Sequence, residues 1–162
     1  MRLREATERD LDAILAIYNH SIRGSTALWS DEEVPRSDRA EWFARQRAGG
    51  CPVLVAEVGG VLAGYASYAP WRERSGYRFS VEDSVYIADA YQGRGCGRAL
   101  LAELIARAGA AGHHRMVADI EAGNLASIRL HESLGFVHSG LVPEVGYKFG
   151  RWLDLAILTL AL

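Results

Sequence analysis

The chain has few cysteines, little net charge and no long apolar run, and each of these shortages excludes a class of protein. Its two cysteines, Cys51 and Cys96, are too few to predict a disulfide framework or a metal cluster. The formal net charge of −2 gives no electrostatic support for binding nucleic acid or a membrane surface. No apolar run approaches the roughly 20 residues that a membrane-spanning helix requires. We therefore expect no nucleic acid, no membrane and no metal among the partners.

The size and composition fit one globular domain. A chain of 162 residues can bury a sizeable core, and 49% hydrophobic with 23% charged residues is ordinary for a globular protein. The first residues, Met1 to Glu5, do not resemble a signal peptide, and the sequence contains no linker, repeat or low-complexity segment. We expect a single domain over residues 1–162, with a cytoplasmic enzyme as the default interpretation.

Apolar periodicity and turn residues divide the chain into strands and helices. Helices are expected after the capping residues Thr7, Ser37 and Asn124, and over the apolar run from Ala99 to Ala110. Strands are expected over residues 2–6, 52–58, 61–68, 81–87, 116–120, 136–142 and 152–160. This order predicts an α/β (α+β) fold, with a mixed sheet that contains one central parallel pair of strands.

A glycine-rich loop, Gln92-Gly93-Arg94-Gly95-Cys96-Gly97, separates a predicted strand from a predicted helix. Its glycines permit unusual backbone conformations and let a ligand approach the main chain closely. The following helix N-terminus offers unpaired N–H groups and a partial positive charge, to which Arg94 and Arg98 add full charges. The loop therefore predicts a phosphate or pyrophosphate site. Its spacing fits neither a P-loop nor a dinucleotide fingerprint, and a glycine-rich turn that merely caps a helix is the alternative.

The order Gln-x-x-Gly-x-Gly in this loop resembles the coenzyme A pyrophosphate loop of the GNAT N-acetyltransferase superfamily. A second segment, Asn124 to Phe136, resembles that superfamily's motif N-x-x-[AS]-x-x-L-[YH]-x-x-x-G-F. The resemblance implies a mostly antiparallel mixed sheet, whose central parallel strand pair is splayed and which helices flank. It also implies acetyl-CoA as the cosubstrate. These residues can also have structural roles that are compatible with cofactor binding. Asn124 can cap a helix, Gly135 can end one, and Phe136 can pack in the core.

The two central strands, 81–87 and 116–120, should diverge at their C-terminal ends and leave main-chain groups unpaired. The pantetheine arm of coenzyme A carries amides that can pair with the backbone of Val85 and Ile87. An N–H near Ile87 can polarise the thioester carbonyl, as an oxyanion donor does. The complete expected cofactor-binding set is Val85, Tyr86, Ile87, Gln92, Gly93, Arg94, Gly95, Cys96, Gly97, Arg98, Asn124, Ser127 and His131.

Four further segments resemble one branch of the superfamily, the phosphinothricin and methionine sulfone/sulfoximine N-acetyltransferases. They are residues 17–19, residues 64–68 with 71–72, residues 81–86 and residues 146–154, so the resemblance covers nearly the whole chain. The branch implies small amino-acid-like acceptors that are acetylated on the α-amine, and a homodimer is the expected assembly.

The reaction requires a base, because a protonated amine must lose a proton before it attacks the thioester. Glu82 is the candidate, since it starts the cofactor-binding strand beside the thioester end. Asp83 is adjacent but should point to the opposite face of the strand. The alternative for Glu82 is an exposed strand carboxylate without a catalytic role.

The acceptor's acidic groups call for cations and aromatic side chains. The planar fork of arginine suits bidentate recognition of a carboxylate, and Arg72 and Arg78 are the favoured candidates. Arg74 is expected to be solvated. Tyr147 and Lys148, in a Gly-flanked segment, are expected to close the site from the partner subunit. The complete expected substrate-binding set is Trp71, Arg72, Gly76, Tyr77, Arg78, Glu82 and Lys148.

His131 occupies a position where many superfamily members carry a tyrosine proposed to protonate the leaving thiolate. It could serve as an acid, a second base or a cofactor contact, and the acid is dispensable because a thiol has a pKa of about 8–9. The acceptor could instead be a polyamine, an aminoglycoside or a protein N-terminus, although the arginines argue against a cationic one. A non-catalytic acetyl-CoA sensor is the remaining alternative.

Overall fold

The computed structural model of the chain describes every residue from Met1 to Leu162. The helices are α1 (Leu11–Gly24), α2 (Arg36–Ala48), α3 (Cys96–Ala110) and α4 (Leu125–Glu132). The strands are β1 (Arg2–Glu5), β2 (Val53–Val58), β3 (Val61–Pro70), β4 (Ser80–Ile87), β5 (Arg115–Glu121), β6 (Val137–Lys148) and β7 (Arg151–Ala161). Short 3-10 turns cover Glu8–Asp10, Ser75–Tyr77 and Asp89–Tyr91.

All seven strands form one sheet in the order β1-β2-β3-β4-β5-β7-β6. Every neighbouring pair is antiparallel except β4 and β5, which are parallel, so the predicted mixed sheet with one central parallel pair is confirmed. The parallel pairing joins only Ser80–Glu82 to Arg115–Val117. Beyond Glu82 and Val117 the two strands part, which confirms the predicted splay.

The helices cover both faces of the sheet and bury a separate core on each. Eighteen buried residues, among them Leu100, Leu104 and Ile128, pack between the sheet and helices α3 and α4. Seven buried residues, among them Ile14 and Phe43, pack between the sheet and helices α1 and α2. We call these sides the α3/α4 face and the α1/α2 face. None of the helices is long and apolar enough to cross a membrane.

Several elements differ from the sequence-based expectation. Helix α2 begins at Arg36 after Pro35, so Ser37 lies inside the helix and does not cap it. Thr7 precedes the 3-10 turn Glu8–Asp10, which leads into α1 at Leu11.

Helix α3 begins at Cys96 rather than Ala99, because Gly95 takes a left-handed conformation (φ 82°) that turns the chain directly into the helix. Strand β6 continues to Lys148 rather than ending at Val142. A register shift between Val142 and Gly146 lets the strand pass Pro143 and resume its pairing with β7.

Candidate active site

The gap between β4 and β5 exposes main-chain groups of β4 on the side away from β3. Backbone bonds Ala88 N–H to Ala63 O and Trp71 N–H to Ser80 O show that even-numbered residues of β4 bond to β3. In an antiparallel ladder, the alternate residues direct their N–H and C=O groups the other way.

The odd-numbered residues Val85 and Ile87 therefore turn their main-chain groups into the gap, as the sequence predicts. Tyr86 differs from them, since its backbone faces Tyr65 of β3 and its ring packs 5.1 Å from the Tyr65 ring, centroid to centroid. A main-chain contact from Tyr86 to a ligand in the gap does not fit this geometry.

The glycine loop forms an open backbone turn at the end of the gap. Gly93 (φ 69°) and Gly95 (φ 82°) lie in the left-handed region, and no atom lies within 4 Å of a Cβ built on either residue. Gly97 is crowded instead, because a Cβ there would lie 3.2 Å from Leu130 Cδ2. Cys96 is buried in the core. The free space at Gly93 and Gly95 suits a phosphate on the main chain, whereas Gly97 lets helices α3 and α4 pack closely.

The polar side chains of the loop differ in how firmly they are held. Arg98 donates from Nη1 to Ser133 Oγ (2.6 Å) and so ties α3 to the end of α4. Gln92 donates from Nε2 to Asp89 Oδ1 (3.0 Å). Arg94 is exposed, with its guanidinium 5.6 Å from the Tyr91 ring centroid. Of the two arginines expected at the phosphate, Arg94 is thus the one held by no ion pair or side-chain hydrogen bond.

The second motif forms the start of helix α4. The Asn124 side-chain oxygen accepts a hydrogen bond from the Ser127 N–H (3.2 Å), which is the helix-capping role that the sequence leaves open. The Ser127 carbonyl in turn accepts a hydrogen bond from His131 Nδ1 (2.7 Å). Asn124 and Ser127 thereby place His131 at the wall of the gap.

His131 is buried and bound on both ring nitrogens. Its Nε2 lies 3.0 Å from Asp83 Oδ2, and His131 is only 3% exposed. Burial alone lowers the pKa of His131, but the hydrogen bond and negative charge of Asp83 outweigh it and the pKa is raised. Because Nδ1 must donate to the Ser127 carbonyl, the arrangement favours an imidazolium paired with Asp83. Neither nitrogen is free to serve as the acid or second base considered from the sequence.

Glu82 lies on the other side of the same strand, on the α1/α2 face. It is partly buried and belongs to no ion pair. Burial first, then the charges of Asp119 and Asp83, raise the pKa of Glu82 to about 7 against the opposing charge of Arg72. A carboxylate with this pKa can accept and release a proton near neutrality.

Arg72 and Trp71 border Glu82 from the loop that precedes β4. The Arg72 guanidinium lies 4.8 Å from the Trp71 ring centroid, and its charge acts on Glu82 and Asp119 alike. Burial raises the pKa of Asp119, while Arg72 and the Trp71 indole N–H oppose that rise. Yet the Trp71 Nε1 and Asp119 Oδ1 atoms, both buried, have no hydrogen bond of normal geometry. One cation, two carboxylates and an indole N–H thus meet here with little internal pairing.

The remaining loop residues lie further from this group. Tyr77 packs edge-on against Trp71, with centroids 5.4 Å apart, and Gly76 is exposed beside it. Arg78 donates to the Ser75 carbonyl (3.1 Å) and lies over the Phe79 ring. Of the two arginines favoured for the acceptor, the structure brings only Arg72 into electrostatic contact with Glu82.

Lys148 occupies a different place from the one expected. It is 1% exposed, and its Nζ donates to the Ile22, Ser25 and Leu28 carbonyls of its own chain at 2.8, 2.8 and 2.5 Å. Three donors are all that an ammonium has, so Lys148 holds the end of α1 and the loop after it instead of contacting a substrate. This corrects its assignment to the substrate-binding set.

Two carboxylates on β5 lie near this site but were not among the residues predicted from the sequence. Asp119 and Glu121 both point to the α1/α2 face, and Glu121 accepts hydrogen bonds from Thr26 Oγ1 (2.9 Å) and the Gly123 N–H (2.8 Å). The available signal was the spacing, since two acids at alternate positions of an apolar strand share one face. No group of three or more His, Cys, Asp or Glu side chains is arranged to hold a metal ion.

A separate cavity in the structure lies away from this site. It measures about 870 Å³, is lined by residues such as Phe43, Tyr68 and Arg107, and contains none of the predicted site residues. Four of its five charged side chains pair within the protein, Arg107 with Glu5 and Arg47 with Glu8, and Arg9 alone has no ion pair. It therefore lacks the group of unpaired acids and cations that marks the gap.

The comparisons with known proteins agree with this geometry. The sequence model described as the acetyltransferase (GNAT) family matches residues 14–136. The chain therefore belongs to the GNAT acetyltransferase family, which confirms the resemblance drawn from the two motifs.

Individual relatives indicate which members of the family this chain is similar to. The L-methionine sulfoximine/L-methionine sulfone acetyltransferase of Salmonella typhimurium is 49% identical over 162 residues, covering 100% of this chain and 95% of the relative. A phosphinothricin acetyltransferase structure from Sinorhizobium meliloti, in complex with acetyl-CoA, has a TM-score of 0.97 at 38% identity and covers 99% and 88% of the two chains. A Brucella melitensis structure described as a ribosomal-protein-alanine N-acetyltransferase has a TM-score of 0.98 at 48% identity, with both chains fully covered.

Proposed function

We propose that this protein is an acetyl-CoA-dependent N-acetyltransferase acting on the α-amine of a small amino-acid-like acceptor, of the methionine sulfone, methionine sulfoximine or phosphinothricin type. The observation that carries the proposal is the unpaired group of Glu82 and Arg72 at the mouth of the gap. A zwitterionic amino acid complements this group, since its ammonium suits Glu82 and its carboxylate suits Arg72.

Glu82 is the proposed general base. The acceptor ammonium gives a proton to the carboxylate, and the freed nitrogen lone pair attacks the thioester carbon. A base with a pKa of about 7 suits this task, because about half of it is ionised at neutral pH and it is still basic enough to take the proton.

The gap and the glycine loop are the proposed acetyl-CoA site. The main-chain groups of Val85 and Ile87 would pair with the amides of the pantetheine arm, and the Ile87 N–H would polarise the thioester carbonyl. The pyrophosphate would lie on the backbone around Gly93 and Gly95, at the N-terminus of α3 and within reach of Arg94. When the C–S bond breaks, coenzyme A leaves as a thiolate, and this thiolate takes up the second proton that the nitrogen loses, so that no dedicated acid is needed.

A homodimer is the proposed assembly, formed through edge strand β6 and the neighbouring turn. Large apolar side chains that are 53–62% exposed cluster there: Leu141, Val145, Tyr147, Phe149 and Trp152. A contiguous exposed apolar patch is typical of an interaction site. Light scattering during gel filtration should give twice the mass of the chain, and a Leu141→Glu/Tyr147→Glu variant should elute as a monomer.

We further propose a cytoplasmic location. Both cysteines, Cys51 and Cys96, are free thiols in the structure, which suits a reducing compartment. Fractionation of cells producing the protein at native level would test the assignment, because recovery in the periplasmic or membrane fraction would contradict it.

The function is tested by measuring acetyl-CoA turnover with the L-amino acids, methionine sulfone, methionine sulfoximine and phosphinothricin. We expect turnover with at least one acceptor that carries a polar tetrahedral side-chain group. Binding of acetyl-CoA without turnover across the whole panel would favour a cofactor sensor instead.

A protein N-terminus is the second candidate, favoured by the name of the Brucella melitensis structure. A short peptide with N-terminal alanine distinguishes the two, since it presents an α-amine without a neighbouring carboxylate. Faster acetylation of the peptide than of any free amino acid would replace the first candidate by the second.

A further inference from the structure

Asp119 has no role in the proposal above, yet its surroundings are unusual. The two buried acids of this region each accept hydrogen bonds within the protein: Asp83 Oδ2 from His131, and Glu121 from Thr26 and the Gly123 main chain. Asp83 keeps one buried oxygen, Oδ1, without a donor. Asp119 is half-buried and differs from both, since it accepts no hydrogen bond of normal geometry on either oxygen and its Oδ1 atom is buried. A buried carboxylate oxygen without a partner is costly, and such an atom calls for an explanation in each case.

The sheet register places Asp119 opposite the start of the gap. Glu82 pairs with Val117 in the parallel register, so these two side chains share a face and a level. Asp119 lies two residues further along β5, on the same face and level with Ser84 of β4. Glu82 and Asp119 therefore flank the opening where the strands part, one on each strand.

The charges around Asp119 point to a cationic ligand. Arg72 approaches both carboxylates but forms no ion pair with either, and the Trp71 indole N–H acts on Asp119 without forming a hydrogen bond of normal geometry. When both are ionised, the two carboxylates outnumber the one guanidinium and leave a net negative charge at the opening. An ammonium between the two acids would supply the missing donors.

We propose that Asp119 binds the acceptor's ammonium group together with Glu82 and so selects acceptors that carry a free, charged α-amine. This inference rests on the proposed function, because it concerns the same acceptor site. Asp119 holds the nitrogen through one N–H while Glu82 takes the proton that leaves. Its contribution is to affinity and selection rather than to proton transfer.

The test measures binding without turnover, by calorimetry on the full chain saturated with coenzyme A, which carries no acetyl group. The probes are methionine sulfone and its 2-hydroxy analogue, which differ only in the amine. Wild-type protein should bind the amino acid more tightly than the hydroxy acid. In Asp119→Asn the affinity for the amino acid should fall about 10- to 100-fold, as for loss of a charged hydrogen bond, while the hydroxy acid should bind almost unchanged.

Two further variants control this comparison. Glu103→Gln removes the same charge from a half-buried pair with Arg107 on α3 and should leave both affinities unchanged. Asp119→Glu keeps the charge and should restore part of the preference for the amine. Equal weakening of both probes in Asp119→Asn would overturn the proposal, since it would mean general damage to the site.

Failure of the proposed function has a different signature. If wild-type protein binds neither probe and acetylates no amino acid, both the function and the role of Asp119 are wrong. If wild-type protein acetylates amino acids but binds amine and hydroxy probes equally, only the role of Asp119 is wrong.

Discussion

Glu82 and Asp83 are consecutive acids on one strand, and they meet opposite electrostatic environments. Asp83 faces the α3/α4 side, is 8% exposed and pairs with His131 at 3.0 Å. Glu82 faces the α1/α2 side, has no ion pair and has a pKa raised to about 7. The comparison teaches that what lies opposite a carboxylate, rather than its place in the sequence, decides whether it stabilises the fold or is available for chemistry.

The physical reason lies in how each face is closed. Helix α4 covers the Asp83 side and brings a cation, so attraction and hydrogen bonding offset the cost of burying the charge. On the Glu82 side the nearest charges are mostly negative, and burial is incomplete where the strands part. A carboxylate in that position holds its proton more readily, which prepares it for acid–base work.

The largest expected effect comes from Glu82→Gln, which removes the charge of the acid that has no ion pair. We expect kcat to fall about 10²- to 10⁴-fold near neutral pH, because the general base is lost. The loss should shrink as the pH rises, since more acceptor then arrives deprotonated. Steady-state rates over a pH series measure this.

The control for that experiment is Glu103→Gln, at a half-buried acid on α3 outside the proposed site. Acetyl-CoA affinity and the unfolding midpoint of Glu82→Gln should stay close to wild type. A Glu82→Gln enzyme with the wild-type pH–rate profile would remove the base assignment.

Breaking the pair between Asp83 and His131 should affect stability instead of the rate of the reaction. We expect His131→Asn to lower the free energy of unfolding by about 3–5 kcal/mol, because it leaves Asp83 as an unpaired buried charge. The folded pKa of His131 is raised, so its contribution is complete below the unfolded pKa of about 6.5 and is lost as the pH rises through the folded value.

The difference in unfolding free energy between wild type and His131→Asn should therefore be larger near pH 6 than near pH 9, measured by denaturant titration. A constant difference across this range would contradict the charged pair. A large fall in kcat of the folded variant, without loss of stability, would return His131 to a catalytic role.

Arg72→Ala tests the cation on the open face. The acceptor's carboxylate should lose a charged hydrogen bond worth about 1.5–3 kcal/mol, or roughly 10- to 100-fold in kcat/KM. Wild-type enzyme should discriminate strongly against the acceptor's methyl ester, and Arg72→Ala should discriminate little. The matched comparison is Arg78→Ala, whose guanidinium contacts Ser75 and Phe79. If wild-type enzyme uses acid and ester equally, the arginine assignment is wrong.

The smallest effect is expected from Gly95→Ala in the loop at the end of the gap. A left-handed conformation costs a non-glycine residue roughly 1–2 kcal/mol, so acetyl-CoA affinity should fall by about tenfold as the loop shifts. Acceptor affinity should change less, because both carboxylates lie away from the loop. Calorimetry with each ligand separately checks this, and unchanged acetyl-CoA affinity would remove the phosphate assignment.

Local sequence signals were sufficient for much of the fold. Apolar periodicity located the core strands and helices, and the glycines of the loop identified the strand-to-helix turn. The signals were weaker where tertiary contacts override local preference. Strand β6 passes Pro143 because β7 provides a partner on the other side of the bulge, and no local pattern encodes that pairing.

The features of the candidate site also divide into those that local sequence predicts and those that depend on tertiary contacts. The motif around Glu82 and the backbone alternation that exposes Val85 and Ile87 follow from a two-residue period, which is a local property of a strand. Lys148 was misplaced because its partners, the carbonyls at the end of α1, lie more than 100 positions away in the chain. Asp119 was missed because its role depends on the side chains that surround it in the folded protein.

The sequence by itself thus determined the family, the parallel pair of strands, the turn that suits a phosphate and the opposite faces of Glu82 and Asp83. These features rest on periodicity, glycine conformation and motif spacing, all of which act over short stretches of chain. Only the tertiary structure decided that His131 is bound on both nitrogens, that Lys148 supports a helix end and that Arg72 and Asp119 stay unpaired beside Glu82. The role of a charged side chain depends on the groups that surround it, and folding brings those groups together from distant parts of the chain.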